Sequence, residues 1–118
     1  MERTVELSIL LAYYGSFLTE RQRKLVAQYV DEDLSLSELA EQENISRQGV
    51  HDSLRRSQQQ LQRMERELGL IRRSRVTVKA LAALEEKVAR CGATAVEKAA
   101  LKSEINVIGR VWEDDYGV

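Results

Sequence analysis

The segment Leu34–Arg56, LSLSELAEQENISRQGVHDSLRR, decides the fold. Ser35 and Glu38 have the spacing of a capping box, in which a hydroxyl and a carboxylate each take up a backbone N–H left free at a helix start. Leu34 before the cap and Leu39 inside the helix form a hydrophobic staple across the same start. The helix this predicts is short, about 36–43, because Asn44 tolerates the left-handed backbone that ends a helix. Ser46 offers the next N-cap at once, with Ile45 and Val50 as its staple. A short capped helix, a tight turn and a second capped helix make a helix-turn-helix. Small Ala40 sits where the two helices approach, and Leu36, Leu39, Ile45, Val50 and Leu54 supply the apolar contacts that fix their angle. Close helix packing is the expected reason for Gly49, which otherwise costs about 1 kcal/mol relative to alanine inside a helix.

Outward on the second helix remain Ser46 at its cap, then Arg47, Gln48, His51, Asp52, Arg55 and Arg56. A recognition helix sets its N-terminal residues against base edges, where arginine pairs with guanine and glutamine with adenine. Arg47 and Gln48 are therefore the candidate base readers. Arg55, Arg56 and, farther along, Arg63 are placed for phosphate.

Working outward, the apolar residues Val5, Ile9, Leu10, Tyr13 and Tyr14 predict a first helix over about 4–14, with Gly15 as a left-handed stop. Thr19 and Gln22 make a capping box for a second helix, which carries Leu25, Val26, Tyr29 and Val30 and ends in the acidic turn Asp31-Glu32-Asp33. Downstream, the recognition helix runs on to Leu68 and stops at Gly69. Leu54, Leu61 and Leu68 recur every seven residues, with Ser57, Met64 and Ile71 as a weaker second row. Such a row extending past a compact module predicts either a homodimer or cover from the C-terminal helices. After a link Arg72-Arg73-Ser74-Arg75, Thr77 is expected to cap a helix over about 78–90 ending before Gly92. Thr94 and Glu97 form a fourth box, opening a helix over about 95–112. The domains expected are thus 1–70, the helix-turn-helix module, and 71–118, a helical extension packing in the same domain.

Composition agrees with an all-α chain. Of 118 residues 43% are hydrophobic and 31% charged, with no proline and six glycines. Charge is unevenly spread: residues 1–45 hold four Lys and Arg against nine Asp and Glu, residues 46–75 eight against three, and residues 76–118 six against seven. Only the recognition segment is basic, and a local basic patch is what lets a mildly acidic protein approach phosphate. Cys91 is the single cysteine and His51 the single histidine, so neither a disulfide within the chain nor a Cys/His metal cluster is expected. A reducing, cytoplasmic setting fits. The uncharged run Leu7–Thr19 is shorter than the roughly 20 residues that span a bilayer, and Glu6 replaces the positive leader of a signal peptide. No membrane association, cofactor or catalytic residue is expected, because no acid, base and nucleophile share a recognised spacing. The cluster Asp31-Glu32-Asp33 lacks the spaced ligands and glycine of a calcium loop. Trp112 and Tyr116 read as a core anchor and a tail.

Three stretches together carry a family resemblance: Tyr13-Tyr14-Gly15-Ser16-Phe17-Leu18-Thr19-Glu20-Arg21-Gln22-Arg23, then Ser35-Leu36-Ser37-Glu38-Leu39-Ala40, then Asn44-Ile45-Ser46-Arg47-Gln48-Gly49-Val50-His51-Asp52. Over about residues 5–70 they resemble the YlxM family of helix-turn-helix proteins, in particular through L-T-x-R-Q-R followed by S-R-Q-x-V-x-D. The resemblance implies a fold like region 4 of sigma factors, with Ser46–Arg56 as the recognition helix. It also implies an accessory or regulatory role in the signal recognition particle pathway. DNA, the particle's RNA or the particle's proteins are the partners it suggests, and a protein–protein adaptor without nucleic-acid binding is the alternative reading.

Overall fold

A computed structural model describes the backbone of residues 2–116 and the side chains of residues 4–111, so the readings of Trp112 and Tyr116 lie outside it. Among the described residues the ordered elements are six α-helices and one short 3-10 turn, and the chain divides into two compact units, 1–69 and 70–118.

The first unit holds α1 (Glu2–Tyr14), the 3-10 turn Gly15–Phe17, α2 (Glu20–Val30), α3 (Leu36–Glu43) and α4 (Arg47–Leu68). Capping chemistry sets each start. Thr19 and Gln22 exchange the two bonds of a capping box, at 3.1 and 3.2 Å, and Ser35 and Glu38 do the same at 3.2 and 3.1 Å. Asn44 closes α3 with φ 54°, and two residues later the Ser46 hydroxyl accepts from the Gly49 N–H at 2.9 Å to open α4. Gly69 ends α4 with φ 64°, a backbone that a β-carbon would strain.

The core of this unit is built from one face of every helix. Leu7, Leu10, Tyr13 and Tyr14 of α1, Leu25 and Val26 of α2, Leu39 of α3, and Val50, Leu54 and Leu61 of α4 are all buried. Burial at Val26, Leu39, Val50 and Leu61 is complete, so the elbow between α3 and α4 is held by packing as well as by caps. A long-range bond joins the two ends of the unit: the Tyr14 hydroxyl, on a fully buried ring, donates to Glu65 Oε1 at 2.6 Å. Hydrogen bonds to a charged acceptor contribute about 1.5–3 kcal/mol. Tyr14→Phe should therefore lower the midpoint of thermal unfolding by several degrees while leaving the helical circular dichroism of the folded state intact.

Several local expectations are corrected. The inward face of α1 uses Leu7 in place of Val5, which is exposed. Gly15 is not left-handed but continues into the 3-10 turn; a β-carbon there would lie 3.0 Å from Leu11 Cδ1, so a larger residue would need that side chain to give by a few tenths of an ångström. Gly49 does not mark a close approach of another helix, since the nearest atom to a β-carbon there is the hydroxyl of its own cap, Ser46 Oγ, at 3.1 Å. Within the heptad row, Leu54 and Leu61 are buried in a unit where α1 packs on α4, so those two of its three leucines do not await a partner. Ser57 is buried with its hydroxyl unpartnered, consistent with the second row being the weaker one, while Leu68 is 45% exposed.

The second unit is an antiparallel hairpin of α5 (Leu70–Arg90) and α6 (Ala95–Tyr116). The expected link Arg72–Arg75 is helical, and Thr77 is not a cap: it lies inside α5 and donates its hydroxyl to the Arg73 carbonyl at 2.8 Å. The box at Thr94 and Glu97 is formed. Lys98 Nζ bonds the Ala89 carbonyl at 2.9 Å, and Lys102 lies 3.6 Å from Glu85 across the hairpin. Ile105 is buried, whereas Val76, Val78, Val96, Val107 and Val111 are more than half exposed. None of the described helices is long and apolar enough to cross a membrane.

Candidate nucleic-acid interface

Successive residues turn by about 100° in an α-helix. Starting α4 at Arg47 therefore sends Val50, Leu54, Ser57 and Leu61 inward and leaves Arg47, Gln48, His51, Asp52 and Arg55 within an outward arc of roughly 140°. All five are exposed. The structure thus brings these predicted residues onto one face at the N-terminal half of the long helix.

Their partners differ in a way that bears on what each can do. Arg47, Arg55 and Arg56 have no carboxylate within 4.0 Å among the described residues, so their guanidinium groups remain available to an external anion. Gln48 is engaged: its Nε2 donates to Asp52 Oδ1 at 3.0 Å. His51 Nδ1 stands 3.6 Å from the same oxygen. Asp52 is consequently the hub of the face, holding one amide hydrogen of Gln48 and leaving the second hydrogen and the amide oxygen for a base edge. Ser46 contributes through its cap, since its hydroxyl is the acceptor that fixes the first turn. Arg63, farther along α4, is paired with Glu67 at 3.3 Å on an exposed surface. Arg56 lies at the margin of the arc, beside a groove that also receives Arg21 from α2. Sequence reading gave Arg21 no role, because only the packing of α2 against α4 places it there.

Among the described residues no three His, Cys, Asp or Glu side chains are disposed to hold a metal ion, and Cys91 is exposed.

A capped elbow between a short helix and a long one, with a polar and partly cationic face on the second, defines a helix-turn-helix protein. The chain matches the family described as "Putative helix-turn-helix protein, YlxM / p13 like" over residues 1–103, and it belongs to that family, UPF0122. A UPF0122 protein of Desulforamulus reducens is 49% identical over 71 residues, 60% of this chain and 61% of the relative. One from Acetivibrio thermocellus is 46% identical over 71 residues with the same two shares, so the matched stretch spans about three-fifths of each of these relatives. A UPF0122 protein of Symbiobacterium thermophilum is 37% identical over 106 residues, covering 88% of this chain and 99% of the relative. No solved structure matches the chain.

Proposed function

We propose that this protein binds duplex DNA through the outward face of α4 and acts, without enzymatic activity, as a cytoplasmic accessory regulator of the signal recognition particle pathway. The observation that carries the DNA reading is the pair of exposed arginines Arg47 and Arg55, without a carboxylate partner among the described residues, flanking Gln48 and His51 on the first turns of a long helix. The major groove of B-DNA admits an α-helix, whereas the major groove of A-form RNA is too deep and narrow for side chains to read. That difference favours duplex DNA over double-stranded RNA. The pathway assignment rests on the family resemblance.

A gel-shift series tests the reading, with promoter-like duplex DNA, the particle's RNA and a scrambled duplex at two salt concentrations. Retarded duplex whose binding weakens steeply with salt supports it; a shift with the RNA alone, or with neither, overturns it.

The second reading, a protein–protein adaptor, is favoured by the apolar side chains exposed along the α5–α6 hairpin. Capture of particle or receptor proteins by a variant lacking Arg47 and Arg55, with no nucleic acid shifted, would select it. A homodimer remains part of the proposal through Leu68 at the end of α4. Sedimentation velocity giving a monomer at high concentration would remove it.

A further inference from the structure

Beside the recognition face lies a groove of about 580 Å³ whose apolar lining includes Leu25 and Ile45. Arg21 of α2 and Arg56 of α4 both line it, each exposed and each without a carboxylate partner among the described residues. Ser53, on the same wall as Arg56, has a hydroxyl with no protein partner among the described residues, and Glu43 supplies the groove's one carboxylate. On α4 the groove residues Ser53 and Arg56 follow the Asp52 edge of the outward arc, so the groove runs along the flank of the recognition helix and not across its reading face.

That placement has a geometric consequence. An α-helix with its side chains is about 10–12 Å across, and the major groove of B-DNA is about 12 Å wide. A helix seated in it therefore has a rail of phosphates along each flank, within reach of one arginine side chain. We propose that the Arg21–Arg56 groove is a phosphate clamp for the duplex backbone, and that it adds sequence-independent affinity and fixes register while Arg47 and Gln48 set sequence preference. Charge complementarity supports this occupant, two guanidinium groups against one carboxylate, with the neutral Ser53 hydroxyl as a further donor. The inference rests on the DNA reading above and deepens it by separating two surfaces of the same helix.

The test is a fluorescence-anisotropy titration of mixed-sequence duplex DNA with the full chain, over about 50 to 200 mM salt. Each phosphate contact contributes about 0.9 to the slope of log affinity against log salt. The double variant Arg21→Gln with Arg56→Gln is expected to flatten that slope by about 1.8 and to weaken binding by the same factor on two unrelated duplexes. Arg21→Lys with Arg56→Lys, which keeps both charges, should retain most of the slope. Glu43→Gln, which leaves both arginines in place, should tighten binding severalfold and guards against a folding defect in the arginine variants. An unchanged slope in the glutamine variant, or unchanged affinity in Glu43→Gln, overturns the clamp while leaving the reading of the α4 face intact. Failure of the parent chain to bind any duplex overturns both.

Discussion

Replacing Arg47 and Arg55 together by alanine is expected to weaken binding of duplex DNA by about a hundredfold. A well-placed arginine contact to guanine discriminates by about 1–3 kcal/mol, and 1.4 kcal/mol is a factor of ten in affinity. Arg47, in the first turn, would account for the base-specific part. Arg55, two turns on, would account for a sequence-independent part that fades as salt rises. Neither guanidinium has an ion pair to lose among the described residues, and both are exposed. The fold should consequently be indifferent to the change, since surface substitutions away from special features usually stay within about 0.5 kcal/mol. Binding isotherms with unfolding curves check both halves. A variant that unfolds earlier would mean that these arginines serve the fold.

The largest effect on stability is expected at the elbow. Leu39 is fully buried between helices that meet at a tight turn, and Leu39→Ala should cost about 3 kcal/mol from lost burial and the cavity left behind. For a unit of this size that corresponds to a fall of more than about 10 °C in the unfolding midpoint. Leu36, at the start of the same helix and only partly covered, should cost clearly less when truncated. Equal costs at the two positions would show that the elbow is not a core feature. Duplex binding should weaken with Leu39→Ala even below the transition, because the elbow is what fixes the angle at which α4 is presented.

The parts of the fold that were legible in the sequence are those decided by chemistry within four residues. The turn from Asn44 to Ser46 is an example: a side chain that tolerates positive φ and a hydroxyl that caps the next turn act on their own neighbours, so neither needs the rest of the chain. The boxes at Thr19, Ser35 and Thr94 belong to the same category. What failed was decided at longer range or by competition. The stretch from Val5 to Leu18 offers more than one apolar face, and only packing chooses Leu7 over Val5. Arg72-Arg73-Ser74-Arg75 resembles a link by its charge, yet arginine is a good helix former and no proline or glycine interrupts it after Gly69. Thr77 has the residue type of a cap, but inside a helix its hydroxyl finds the carbonyl four residues back.

The candidate face was legible for a related reason. Once Ser46 caps α4 and the helix begins at Arg47, helical geometry puts Arg47, Gln48, His51, Asp52 and Arg55 outward. The partners of those side chains were not legible. That Asp52 holds Gln48, and that Arg56 shares a groove with an arginine from another helix, depend on rotamers and on the packing of α2.

If the protein works as proposed, the outward face of α4 is the surface that meets DNA. Amide chemical-shift mapping of the full chain, titrated with duplex DNA, addresses it most directly. Perturbed signals are expected to concentrate over residues 46–56, with Arg21 and its neighbours following. Perturbation confined to α5 and α6, with residues 46–56 unmoved, would contradict the proposal.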